Sequence, residues 1–257
     1  MTDSILLEAR DGLARVTLNR PGSLNAVDFA MGSRWRDVAR QVAADPAVGA
    51  VLLDAAGNAF CAGGDVLAMA SGGGSGANLA EMARVINDGI VALTTCPKPV
   101  VAAVGGAVAG GGLGLMLAAD YVVASETARF VSRYANIGLT PDLGVTTLLP
   151  RAIGERRALQ LLLTDTMIDA ATALEWGLVA EVVAPDRLAA RAEEVARFWL
   201  DNATAAYGHA KRLVRVGADR GFEENLADEA TTIGNSFDTD AAQTRIAAFA
   251  AASSRWG

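Results

Sequence analysis

Ala107 to Met116 reads AVAGGGLGLM, three consecutive glycines between apolar flanks. The surrounding run, Val100 to Ala119, is twenty residues without a charge, long enough to span a bilayer. Six of the twenty are glycine, and each glycine costs a helix about 1 kcal/mol relative to alanine. A buried strand VVAAV, a turn and then a short helix explain the run better than a membrane span. The glycines also carry chemical meaning, because bare backbone at a helix start leaves N–H groups open to a ligand.

A second stretch is built alike. Cys61-Ala62-Gly63-Gly64-Asp65 follows the buried run VGAVLLDAAG and leads into a short helix, with Asp65 placed as its N-cap. Taken alone, either loop reads first as a tight turn. Brought together, they would supply a pair of amide donors around one oxygen, an oxyanion hole. Phosphate cradling is disfavoured. Gly105 and Gly110 have P-loop spacing, yet Gly111 and Gly112 follow instead of lysine and Ser/Thr, and Leu115 breaks a dinucleotide pattern.

Outward from these loops the chain alternates strands and helices. LEARDGLARVTLNRP makes a hairpin about Asp11-Gly12. Helical patterns cover Asp28 to Ala44 and Leu79 to Thr94, and YVVAS and AEVVAP are further strands. Ser71 to Asn78, SGGGSGAN, is polar and glycine-rich and reads as mobile. Later helices cover Glu155 to Leu163, Asp169 to Trp176 with Gly177 as cap, and Asp186 to Leu200, and only helices follow His209. The pattern is an α/β core with an all-helical C-terminal appendage.

At 257 residues with 52% hydrophobic and 20% charged, the chain is globular. A net charge of −7 argues against nucleic acid as partner. Cys61 and Cys96 are too few and wrongly spaced for a disulfide framework or a metal site, so free thiols of a reducing cytoplasm are expected, with no metal. MTDSILLEARDG lacks a signal-peptide pattern. His209 is the single histidine, so a triad or multi-histidine site would have to use it, and its helical context reads as solvated surface. Cys61 has no base in sequence reach and reads as packing.

FCAGGDV (60–66), KPVVAAVGGAVAGGGLGLMLAAD (98–120), ARFVSRYANIGLTPDLGVTTLLPRAIG (128–154) and AKRLV (210–214) together resemble the crotonase superfamily, the enoyl-CoA hydratases and isomerases. The resemblance runs from the N-terminal hairpin to the C-terminal helices. It implies a crotonase-like spiral of ββα units over residues 1–195 with the acyl-CoA site. Residues 196–257 would be a helical C-terminal oligomerisation region, building a homotrimer or a dimer of trimers. It also implies that Ala62 and Gly111 donate to the thioester carbonyl of an acyl-CoA, with CoA part of the substrate and no separate cofactor. Gly63, Gly64, Asp65, Gly110, Gly112, Tyr134, Leu139, Ala26 and Arg20 would line or grip the substrate. The loop SGGGSGAN would border the acyl pocket.

Two departures from the hydratase pattern set the expected chemistry. Hydratases carry glutamates at the positions of Gly114 and Tyr134. Hydration needs groups to activate a water and protonate carbon, and neither glycine nor a phenol with a pKa of about 10 is such a base. Asp142, in GLTPDLG, matches the single acid of some isomerases in the superfamily. One carboxylate suffices to move a proton from C2 to C4 while the hole holds the dienolate. Isomerisation is therefore expected. A hydratase, an acyl-CoA hydrolase and an inactive acyl-CoA-binding member are the alternatives. The loop RPGSLNAV offers CoA only Arg20, so Lys211 or Arg212 is a further candidate for its phosphates.

Overall fold

The computed structural model describes residues 3–71 and 74–253. Strands β1 (Ile5–Arg10) and β2 (Leu13–Leu18) form the hairpin, antiparallel with Ile5 opposite Leu18. Asp11 and Gly12 both take positive φ, 50° and 78°, which a two-residue hairpin turn requires. Helix α1 (Phe29–Ala44) follows, capped by the Asp28 side chain accepting from the Met31 N–H at 2.8 Å. Then come β3 (Ala50–Ala55), α2 (Val66–Ser71) and α3 (Gly76–Thr95), the last starting three residues before the expected Leu79 because Ser75 caps it.

Val100 to Ala119 divides as its glycines predict, into β4 (Val100–Val104), β5 (Ala107–Ala109) and α4 (Gly111–Leu117). Strands β6 (Tyr121–Ser125) and β7 (Arg129–Val131) lead to α5 (Val145–Ile153) and α6 (Glu155–Leu163). The short β8 (Ile168–Asp169), α7 (Ala170–Trp176) and β9 (Glu181–Val183) complete the core. Helices α8 (Leu188–Asp201), α9 (Thr204–Gly217), α10 (Phe222–Phe237) and α11 (Asp240–Ser253) finish the described chain.

Six strands form one sheet in the order β1-β2-β3-β4-β6-β9, parallel from β2 onward, and β5-β7-β8 form a second, smaller sheet. Both faces of the large sheet are covered, which is why β3 and β4 are apolar without alternation. Val51, Leu53, Val100 and Ala102 face the main core with Met31, Trp35 and Phe60, while Leu52, Val101 and Ala103 pack on α8 through Ala192 and Val195.

Helix α9 is tied to the core by Lys211, which is buried. Its Nζ donates to Leu93 O at 2.6 Å and Lys98 O at 2.8 Å and pairs with Asp120 at 2.9 Å. By contrast, α10 and α11 leave Phe222, Leu226, Ile233, Phe237, Ile246 and Phe249 exposed on the single chain. No helix among the described residues is long and apolar enough to cross a membrane.

Candidate active site

The two glycine loops meet through β5. Cys61 N–H donates to Ala107 O at 3.1 Å and Ala109 N–H returns a bond to Cys61 O at 3.0 Å, a parallel bridge between Cys61 and Val108. That bridge demands bare backbone on each side. A Cβ on Gly112 would stand 2.3 Å from Cys61 O. One on Gly63, whose φ is +98°, would stand 2.9 Å from Ala109 O and 3.4 Å from Gly111 N. The triplet's glycines thus seat the first loop against the start of α4.

Asn25 fixes the first loop from below. It is fully buried, takes φ 55°, and its Nδ2 donates to Ala56 O and Ala59 O at 2.9 and 2.8 Å, while its Oδ1 accepts from Arg20 N–H. Its neighbour Leu24 accepts from Ala62 N–H at 3.0 Å. The Ala62 amide is therefore already bonded, which corrects its expected place as a donor. Gly64 lines the cavity beside the second loop, and its N–H has no acceptor among the described residues. Gly111 opens α4, so its N–H has no partner within the helix. Gly64 and Gly111, one from each loop, thus bring unbonded amides to the cavity lining.

The cavity holds about 410 Å³ and is walled by Val27, Met69, Leu79, Met82, Ile86 and Leu143. Gly63, Gly110, Tyr134 and Leu139 also line it, as the sequence suggests. Asp142 is the one carboxylate among the described lining residues. A Cβ on Gly111 would lie 3.9 Å from its Oδ1, so the carboxylate faces the second loop. The Tyr134 hydroxyl donates to that Oδ1 at 2.6 Å. Oδ2 accepts from no other side chain among the described residues. Burial raises the Asp142 pKa above the ordinary carboxylate value, and the Tyr134 bond offsets part of the rise. Burial and the adjacent carboxylate push the Tyr134 phenol upward, which keeps it a proton donor.

Several expected contacts fall elsewhere. Arg20 pairs with Asp28 and Asp65, both at 3.1 Å, and donates to Ala26 O, so its charge is spent within the loop and neither Arg20 nor Ala26 lines the cavity. Asp65 caps α2 by accepting from Ala68 N–H at 3.0 Å and borders an adjoining cleft of about 530 Å³. Gly112 is buried against Cys61 and does not face the cavity. Lys211 is buried as described, and Arg212 is held by Asp228 at 2.6 Å, so neither is free for phosphate. Burial pushes the Cys61 thiol up to about 12, which makes it inert packing. His209 is half-buried, with an unpartnered Nδ1.

Of the glycine-rich run, Gly76 lines the cavity and Gly74 and Ser75 line the cleft, while Gly72 and Gly73 lie outside the described residues. Arg133, which the motifs did not single out, lines the cavity too. Its signal was available, as the only charge between Phe130 and Thr140.

The family model described as Enoyl-CoA hydratase/isomerase matches residues 8–256. The chain is 34% identical over 228 residues to 1,2-epoxyphenylacetyl-CoA isomerase of Escherichia coli, covering 88% of this chain and 87% of that one. It is also 34% identical to trans-2-decenoyl-[acyl-carrier-protein] isomerase of Streptococcus mutans, over 86% of this chain and 84% of that one. The crystal structure of enoyl-CoA hydratase from Mycobacterium smegmatis superimposes with a TM-score of 0.90 at 30% identity, over 96% and 95% of the two chains. Hydratases and isomerases thus both stand among the similar proteins.

Proposed function

The chain belongs to the enoyl-CoA hydratase/isomerase family, and from that premise we propose that it is an isomerase moving the double bond of an enoyl-CoA. The observation that carries this reading is the lone cavity carboxylate. Asp142 stands there with Tyr134 bonded to it, and Gly114 occupies the position of the second acid.

Asp142 Oδ2 takes a proton from C2 of a 3-enoyl thioester. The electron pair moves through the thioester carbonyl, and the resulting dienolate oxygen is held by the Gly64 and Gly111 amides. Each such donor is worth about 2.7–4 kcal/mol in comparable holes. The same carboxyl group returns the proton to C4, giving the 2-enoyl isomer. Hydration would need a second group to activate water, and the cavity offers no second carboxylate among the described residues. The exposed apolar residues of α10 and α11 support burial against further copies, a trimer or a dimer of trimers.

Incubation with 3-enoyl-CoA and 2-enoyl-CoA, each followed by mass, separates the possibilities. Isomerisation leaves mass unchanged but brings the double bond into conjugation with the thioester, read by ultraviolet absorbance, which an inactive protein does not do; hydration adds a water and hydrolysis releases CoA. Asp142→Asn should lower isomerase turnover about 10²- to 10⁴-fold while acyl-CoA still binds. Ready addition of water to 2-enoyl-CoA by the wild type would refute the reading.

A further inference from the structure

Arg133 is the one cation among the described residues lining the cavity. Its guanidinium makes no hydrogen bond or ion pair with any described residue. Its backbone is left-handed, φ 59°, a conformation uncommon outside glycine and often found at functional positions. The flanking residues Ser132 and Tyr134 are buried, whereas Arg133 keeps access to solvent at the cavity wall.

The other polar groups of the cavity are largely committed. Tyr134 is bonded to Asp142, and the Asn136 amide donates to Asp165 at 2.5 Å. Under the acyl-CoA reading, on which this inference rests, the Gly64 and Gly111 amides hold the thioester oxygen and Asp142 works on C2 and C4. Arg133 lines the same cavity as Tyr134 and Asp142. It does not pair with Asp142 although both line one cavity. A permanent charge bordering an apolar chamber and neutralised by no described residue is matched to an anion carried by the substrate. Guanidinium suits a carboxylate, which it can grip through two parallel N–H bonds.

We propose that the preferred acyl group ends in a carboxylate, so that the substrate is the mono-CoA thioester of an unsaturated dicarboxylic acid, with Arg133 binding the distal carboxylate. Saturated thioesters, freshly prepared and carrying no double bond to move, test this apart from catalysis. Calorimetric affinities are compared within pairs of equal length: succinyl- against butyryl-CoA, glutaryl- against pentanoyl-CoA, and adipoyl- against hexanoyl-CoA.

In the wild type, at least one dicarboxyl member should bind about tenfold or more tighter than its partner, the range of one charge-assisted contact. Arg133→Gln should bring that pair to equal affinity, and Arg133→Lys should keep part of the difference. Equal affinity within every wild-type pair overturns the proposal. So does a loss on Arg133→Gln that is shared by both members and by CoA alone, which would place Arg133 on the CoA moiety. Turnover of 3-enoyl-CoA is scored separately. A carboxylate preference without isomerisation would sink the isomerase reading alone, and isomerisation without the preference would sink this inference alone.

Discussion

Gly114→Ala sets two effects of opposite sign against each other on α4. Helix propensity favours alanine by about 1 kcal/mol. Packing opposes it, because the new Cβ would stand 2.4 Å from Leu143 O and 2.6 Å from Leu143 Cβ. Leu143 has little room to retreat. It is 4% exposed, holds φ 52°, and Val145 N–H bonds back to Asp142 O across it at 3.0 Å. Overpacking a core costs about 1–3 kcal/mol, and a clash with a carbonyl oxygen belongs at the upper end. The net effect is a loss of about 2 kcal/mol, or about 4–8 °C in Tm for a chain of 257 residues. Any relief moves Leu143 and carries Asp142 with it, so turnover should fall more than stability implies, tenfold or more, since a misplacement of about 1 Å can cost 10²-fold. Thermal unfolding at fixed protein concentration and turnover of 3-enoyl-CoA read the two effects. By the same contact, Gly114→Glu should not gain hydratase activity. A Gly114→Ala variant more stable than the wild type would show that Leu143 yields cheaply, and the argument that this site excludes a second acid would fall with it.

Tyr134→Phe removes the donor that favours ionised Asp142, so the acid limb of kcat/KM should move to higher pH; an unmoved limb would mean that Tyr134 does not hold the base. Asp142→Asn should be more stable than the wild type near neutrality. The sign follows from the raised pKa: the folded state resists ionising this group, so the wild type carries a cost that appears as pH rises through the folded value and is absent below the ordinary aspartate value. Urea denaturation at neutral and acid pH should show the gap closing on acidification, and a gap of constant size would refute the assignment. Lys211→Met strands two carbonyls and a face of Asp120, which Arg215 still pairs at 3.0 Å. A loss of about 3 kcal/mol is expected, readable as a lower Tm, with CoA affinity of the folded variant retained. Weaker CoA binding would restore Lys211 to the site.

Local chemistry was legible wherever it acts over a few residues. Asp11-Gly12 forces its hairpin, VVAAV has no polar face to show to water, and Asp28, Asp65 and Asp169 each cap the helix that the pattern begins there. The junction of the glycine triplet with Cys61-Ala62-Gly63-Gly64 was legible as well, because close backbone approach leaves few residues to choose from. What failed was the assignment of groups by type. Arg20, Lys211 and Arg212 are cations in the sequence, yet Asp28, Asp65, Asp120 and Asp228 already neutralise them. Nothing within a few residues of a charge reports a partner 45 or 91 positions away.

The error at Ala62 has the same origin, and it shows what defines this site. Ala62 and Gly64 both present an amide on one short loop, and the sequence alone ranks neither. The carbonyl of Leu24, held in place by buried Asn25, takes the Ala62 N–H and leaves that of Gly64. Tyr134 takes Oδ1 of Asp142 and leaves Oδ2. Asp28 and Asp65 take Arg20, while Arg133 at the cavity wall is left without a partner among the described residues. Reactivity here belongs to the groups that folding leaves unbonded. A substitution that frees a bonded group, such as Asn25→Ala releasing the Leu24 turn, should therefore lower turnover of 3-enoyl-CoA without altering any residue that lines the cavity.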